Sequence, residues 1–170
     1  MTQTDNQASP FWRFSLRFYR QPGVADACIA LQEQSGVDVN LLLYLLWYAR
    51  DGRSFTVTEV EAVERRIAPW RESTVVPLRA VRRALKTPPA LVEAAAAEAF
   101  RTRIKAVELE SERLQQEALF ALAAGLATED AATVETAASA NVAAYGQVLG
   151  RPLKPAAVAA LLGALAADPP

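Results

Sequence analysis

The stretch GVDVNLLLYLLWYARDG, residues 36–52, decides the fold because it is apolar almost without interruption from Val39 to Ala49. Asp38 suits the N-cap of a helix here, since its carboxylate can accept hydrogen bonds from the free N–H groups of the first turn. A helix that is apolar on nearly every face is buried on all sides. The run is shorter than the roughly 18 residues that a membrane-spanning helix needs. The stretch therefore predicts the central helix of a bundle.

Helix signals also dominate the first half outside this stretch, and strand signals are nearly absent. Ser9-Pro10 predicts an N-cap followed by proline at the first helical position, and Gly36 predicts a helix end. The pattern TEVE, residues 58–61, matches a capping box. Because a residue before proline avoids helical angles, Pro77 predicts a new helix that starts near Val76.

The second half is rich in alanine and predicts long helices. Residues 90–124 contain neither glycine nor proline. A heptad-like seam of apolar and small residues runs through them. A partner helix is expected from a cap at Thr128 to Gly150, with a last short helix over residues 155–167. The seam consists of Phe100, Ile104, Val107, Ser111, Leu114, Ala118 and Ala121.

These patterns predict an all-α fold, with a compact helical bundle around a buried central helix at about 38–51 and a long C-terminal helical hairpin. Residues 1–8 are expected to form a disordered tail and residues 9–170 a single helical domain. Within that domain, residues 9–87 form the aromatic-rich core part, and residues 88–170 form the Ala-rich hairpin and the last short helix.

Composition argues against most enzyme classes. The chain has no histidine and only one cysteine, Cys28, so histidine-assisted nucleophiles and ordinary zinc sites are excluded. No nucleotide-binding glycine motif and no paired-aspartate diphosphate motif occurs. We therefore predict no catalytic residues, no cofactor and no metal, and favour a non-enzymatic protein. The single cysteine and the lack of a visible signal peptide predict a cytoplasmic location.

Basic residues concentrate between Arg65 and Lys86, and four of them share one helix face. One interpretation is a surface that binds anions or an acidic partner, with a tryptophan as apolar anchor. The other is a solvated face or one paired within the chain. Ion pairs with these cations could come from Glu108, Glu110, Glu112 and Glu117. The candidate surface consists of Trp70, Arg71, Arg79, Arg82, Arg83 and Lys86.

The first half also resembles a known family. The combination comprises Phe11-Trp12, Tyr19, Pro22-Gly23-Val24, Ala27-Cys28, Leu31-Gln32, Asp38-Val39-Asn40-Leu41-Leu42, Trp47, Trp70-Arg71 and Pro77-Leu78-Arg79. It is similar to an uncharacterised bacterial family, domain of unknown function 2390, over roughly Phe11 to Lys86. The resemblance implies no activity, cofactor or catalytic residue.

The sequence thus leads to two functional hypotheses. The first is a cytoplasmic interaction or adaptor protein that binds an acidic protein through the candidate surface; a net charge of −1 counts against nucleic acid as the partner. The alternative is a carrier or sensor of a small apolar ligand, such as an acyl or isoprenoid chain, held in the helical bundle. The sequence leaves the oligomeric state open.

Overall fold

The protein is described here by a computed structural model, which describes residues 8–122 and 132–168. These residues form helices without any strand, in agreement with the predicted all-α class. Of the helices in this described part, none is both long and apolar enough to span a membrane. The elements are α1 (Pro10–Tyr19), α2 (Val24–Ser35), α3 (Val39–Ala49), α4 (Val57–Trp70), a π-helical turn (Arg71–Val75), α5 (Val76–Ala84), α6 (Ala94–Leu122), α7 (Val134–Leu149) and α8 (Pro155–Ala167).

The described residues group into two compact units. The first unit comprises Met1–Glu64 with Gln116–Pro170, and the second comprises Arg65–Gln115. Helices α4 and α6 each contribute residues to both units. The expectation of one helical domain over residues 9–170 stays a prediction, and the tail expected at residues 1–8 lies almost entirely outside the described residues.

Helix α3 is the centre of the first unit, as predicted. Asp38 caps it, because its Oδ1 accepts hydrogen bonds from the backbone N–H of Asn40 at 2.8 Å and of Leu41 at 3.4 Å. Residues 41–46 are all buried, and α3 packs against α1 and α7. Each buried leucine contributes about 1.5–3 kcal/mol relative to an exposed one, so this helix supplies much of the stability of the unit.

Aromatic rings close the space between α3 and its neighbours. Phe11 of α1 meets the edge of Tyr44 at a centroid distance of 5.9 Å. Trp47 contacts Phe120, from the end of α6, at 5.7 Å. Phe55, in the loop after α3, lies 5.8 Å from Tyr44. Edge-on and tilted contacts of this kind add to the gain from burial, and they explain why the first half of the chain is rich in aromatic residues.

A buried asparagine fastens α7 to the end of α3. Asn141 is fully buried, and its Nδ2 donates to the backbone oxygens of Leu45 at 3.0 Å and Arg53 at 2.9 Å. Its Oδ1 accepts from the backbone N–H of Phe55 at 2.6 Å. One side chain thereby satisfies polar backbone groups of a buried loop, which would otherwise cost free energy.

The C-terminal helix is tied to the first helix by a carboxylate. The Asp168 side chain is almost fully buried and accepts from Arg17 Nη2 at 2.7 Å and Gln21 Nε2 at 2.6 Å. Arg50 Nε lies 3.8 Å away. The hydrogen bond to Asp168 raises the pKa of Arg17. Helix α8 also packs against α2 and α7.

Several helix boundaries agree with the sequence and others differ. Ser9 caps α1 by accepting from the Trp12 N–H, and Gly36 and Gly150 end their helices with φ of 69° and 60°. The capping box is Thr56 with Glu59 rather than Thr58 with Glu61. Helix α7 is capped by Thr133, whereas the predicted cap, Thr128, lies outside the described residues. The sequence predicted that α7 pairs with α6. In the structure, α7 packs against α3 and α8.

The chain does not break at Pro77. Helix α5 does begin at Val76, but Val76 has helical angles of −63° and −46°, and the helical path continues from α4 through the π-helical turn into α5. The preference of a residue before proline for extended angles is overridden here. Proline has no N–H to donate, and its ring crowds the carbonyl four residues earlier. For Pro77 that carbonyl belongs to Ser73, which lies within the π-helical turn.

Candidate interaction surface of the second unit

All six residues of the candidate surface belong to the second unit. Trp70 is the last residue of α4, and Arg71 opens the π-helical turn. Arg79, Arg82 and Arg83 lie on α5, and Lys86 follows it. The structure thus brings the six residues onto one continuous helical segment and its end. π turns are frequent at functional sites, and this one joins Trp70 to the basic helix.

Arg79 and Arg82 pair with acidic residues of α6. Arg79 contacts Glu108 at 3.2 Å and Glu112 at 2.6 Å, and Arg82 makes a short hydrogen bond to Glu108 and a second one at 3.1 Å. The alternative that the sequence left open, pairing with acidic residues of α6, is therefore realised for Arg79 and Arg82. These two arginines join α5 to α6 by long side chains.

The other two acidic residues considered for this role bind elsewhere. Glu110 accepts from Arg113 Nη2 at 2.6 Å and Nε at 2.9 Å, an exposed pair three residues apart on α6. Glu117, in the first unit, accepts from the backbone N–H of Ser9 at 3.0 Å. Neither of these contacts involves a cation of the candidate surface.

Glu108 is the electrostatic centre of the α5–α6 pairing. Its side chain is buried; burial alone would raise its pKa, but hydrogen bonds and positive charge from Arg82 and Arg79 outweigh burial and lower that pKa. The hydrogen bond to Glu108 in turn raises the pKa of Arg82. Glu108 and Arg82 therefore both stay charged at neutral pH.

The remaining members of the candidate surface face outward to different extents. Trp70 donates from Nε1 to the backbone oxygen of Ser111 at 3.0 Å, yet 39% of the residue is exposed. Arg71 is partly buried and lies 3.7 Å from Glu72. Arg83 and Lys86 are exposed. The indole is thus held at its polar edge while part of it remains open to a partner.

Charge is unevenly divided between the two units. Residues 65–115 contain eleven lysines and arginines and six acidic residues, which gives a net charge of +5. The rest of the chain contains seven basic and thirteen acidic residues, a net charge of −6. The total of −1 conceals this separation. The second unit is therefore a strongly basic body in spite of the internal pairs of Arg79 and Arg82.

The described residues contain no cluster of possible metal ligands, and their one thiol is buried. Within residues 8–122 and 132–168, no group of three or more histidine, cysteine, aspartate or glutamate side chains is placed so that it could hold a metal ion. Cys28 is fully buried, and this burial raises the pKa of its thiol to about 12, so the reactive thiolate is scarce at neutral pH.

Sequence reasoning missed two surface features. A groove of about 640 Å³ lies in the first unit between α7, the connection after it and α8. Val142, Leu153, Val158 and Leu162 are among its lining residues, and Arg151 also borders it. The second feature is that three large apolar members of the predicted α6 seam, Phe100, Val107 and Leu114, are exposed. The seam was visible in the sequence, but its exposure was not.

Comparison with known proteins supports the resemblance found in the sequence. The family model DUF2390, described as a protein of unknown function, matches residues 10–119. The chain therefore belongs to the DUF2390 family, and the match extends beyond the predicted limit at Lys86 into most of α6. No curated protein and no solved structure matches the chain.

Proposed function

We propose that the protein is a non-enzymatic interaction protein that binds an acidic protein partner through the candidate surface. The observation that supports this proposal is the net charge of +5 on the second unit. Arg79 and Arg82 position α5 through Glu108, and the exposed Arg83 and Lys86 attract carboxylates of the partner. Trp70 anchors the partner by its exposed apolar surface, because tryptophan is enriched at binding hot spots.

The proposal includes a bacterial, cytoplasmic setting. The chain carries a single cysteine, and that cysteine is buried, which accords with a reducing compartment. Salt screens the attraction between exposed cations and an acidic partner, and at 0.1 M ionic strength this attraction falls off over about 10 Å. Binding of the acidic partner should therefore weaken as salt is raised.

Reversing the two outer cations tests this function. In the double variant Arg83→Glu and Lys86→Glu, we expect proteins retained by affinity purification at low salt to be lost, with affinity at least about tenfold lower. Arg79 and Arg82 are left intact because their reversal would disrupt the pairing with Glu108. The measurement is the set and amount of co-purifying proteins at low and high salt.

The matched control is Arg20→Glu with Lys154→Glu. Both residues are exposed cations of the first unit, so the total charge changes equally. We expect this control to retain the wild-type partners. An unchanged set of co-purifying proteins in the Arg83 and Lys86 variant would refute an acidic partner at this surface.

The groove of the first unit favours a second candidate function, a carrier or sensor of an acyl or isoprenoid chain. Its volume of about 640 Å³ lies within the range of small-molecule sites. Apolar side chains such as Val142 and Leu162 line it, and Arg151 could meet an anionic head group.

Mass spectrometry of solvent extracts tests the carrier function. Purified wild-type protein should release a bound lipid in near-stoichiometric amount, and Ala159→Trp, which places an indole in the groove, should release at least about tenfold less. Ala160→Trp is the control, because Ala160 is exposed on the same helix and does not line the groove. Wild-type extracts without lipid would exclude this function.

A further inference from the structure

We propose that two copies of this chain pair antiparallel through one face of α6. That face carries the exposed stripe, defined as Phe100, Val107 and Leu114, which are 43%, 51% and 43% exposed. Large apolar side chains so open to water, aligned along one helix, mark a surface that a partner covers. The proposal concerns a different surface from the candidate surface on α5 and does not depend on it.

The spacing within the stripe indicates that a helix covers it. Its members follow at intervals of seven residues, and the distance from Phe100 to Leu114 is fourteen residue steps, about 21 Å along a helix. A seven-residue repeat keeps side chains on one line that faces a second helix lying nearly along the first. Three aligned contacts of this kind suit a long helix, and α6 itself has 29 residues.

Charges beside the stripe select the partner and its direction. Arg103 and Glu110 lie on the same flank, again seven residues apart and opposite in sign. With a two-fold axis at Val107, antiparallel copies place Phe100 against the second copy's Leu114 and Arg103 against the second copy's Glu110. Each contact occurs twice in such a symmetric pair. A parallel pair would instead set this flank against the opposite flank of the second copy, where Glu108 already binds α5.

Both charges can take part in this pairing. The Arg103 guanidinium lies 5.3 Å from the Phe100 ring, and it has no salt bridge within the described part of the chain. Glu110 pairs with Arg113, but 54% of its side chain is exposed and a carboxylate accepts more than two hydrogen bonds. The other flank of α6 is occupied, because Glu108 binds α5.

Sedimentation velocity tests the pairing directly. The wild-type chain should sediment at twice its mass of 18.4 kDa, and Val107→Glu should sediment as a single chain because two carboxylates would meet at the axis. Leu109→Glu is the matched control: Leu109 is 50% exposed but lies about 200° further round the helix. Circular dichroism confirms that each variant is folded. A wild-type protein that sediments as a single chain at its highest soluble concentration overturns the proposal.

Charge exchange tests the identity of the flanking pair. Arg103→Glu alone and Glu110→Arg alone should each raise the dissociation constant of the dimer by about tenfold at low salt. The double variant should recover to within about threefold of the wild type, since the exchanged charges again oppose each other. Failure of the double variant to recover excludes this pairing of flanks.

Cysteine cross-linking tests the direction. Under copper–phenanthroline and oxygen, Val107→Cys should form a disulfide-linked dimer, while Phe100→Cys and Leu114→Cys should do so only when mixed. Cys28 is fully buried, so it does not interfere, and the wild-type chain serves as control. Self-linking of Phe100→Cys and of Leu114→Cys would instead show a parallel pair and overturn the antiparallel arrangement.

Discussion

Asn141→Ala should lower the free energy of unfolding by about 3–5 kcal/mol. The substitution leaves the buried N–H of Phe55 and the carbonyl of Arg53 without the partner that Asn141 supplies. Each buried polar group left unpaired costs about 1–3 kcal/mol, and the deleted side chain adds a small cavity. Urea denaturation followed by circular dichroism measures the change.

Gln147→Ala is the matched control for this experiment. Gln147 carries an amide of the same kind on the same helix but is exposed, so its loss should change stability by less than about 0.5 kcal/mol. A loss below about 1 kcal/mol in Asn141→Ala would contradict the role of Asn141 as the fastening between α7 and the end of α3.

Glu108→Gln should destabilise the protein by about 2–3 kcal/mol at pH 7, because it removes the charge that two arginines of α5 share. Breaking a buried ion pair from one side costs about 3–5 kcal/mol, and the partial exposure of Arg79 and Arg82 reduces that figure. Urea denaturation at pH 7 measures the loss. Glu98→Gln, which breaks an exposed pair on the same helix, should cost less than about 1 kcal/mol.

The effect of Glu108→Gln should depend on pH in a defined direction. The pKa of Glu108 is lowered below 4.5 by Arg82 and Arg79 against the opposing effect of burial. Its contribution is therefore fully present above about pH 4.5 and is lost as the pH falls through the folded pKa. The difference between wild type and variant should shrink between pH 7 and pH 3. A constant difference over that range would show that Glu108 acts through packing alone.

The elements that sequence reasoning predicted correctly depend on local chemistry. The cap by Asp38, the cap by Ser9 and the glycine ends of α2 and α7 are each specified by residues next to one another in the chain. The all-round apolar pattern of α3 likewise requires burial, whatever packs against it. These features follow from helix capping and periodicity, so no distant contact was needed to predict them.

The elements that it missed depend on distant contacts. Two overlapping boxes in TVTEVE satisfy the same capping pattern, and one difference between them is that Asn141 holds Phe55 immediately before Thr56. The pairing of Arg79 and Arg82 with Glu108 joins residues 29 and 26 positions apart. The sequence showed charges of both signs but could not decide between pairing within the chain and pairing with a partner.

The seam on α6 illustrates the same limit for apolar residues. Seven-residue spacing identifies Phe100, Val107 and Leu114 as one line of side chains, and that inference was correct. Spacing carries no information about whether the covering helix belongs to the same chain or to another. The prediction therefore placed inside the fold a face that the structure leaves exposed.

The π-helical turn has a consequence for comparing members of the family. A π turn amounts to one residue inserted into an α-helix, and each residue advances the helix by about 100°. The π turn absorbs that extra advance, so a homologue lacking one residue between positions 71 and 75 would have a regular α-helix there, and the residues after it would face the same way. Its arginines would still lie opposite α6 but one position earlier in the sequence, and an alignment that ignores the deletion would wrongly score them as lost.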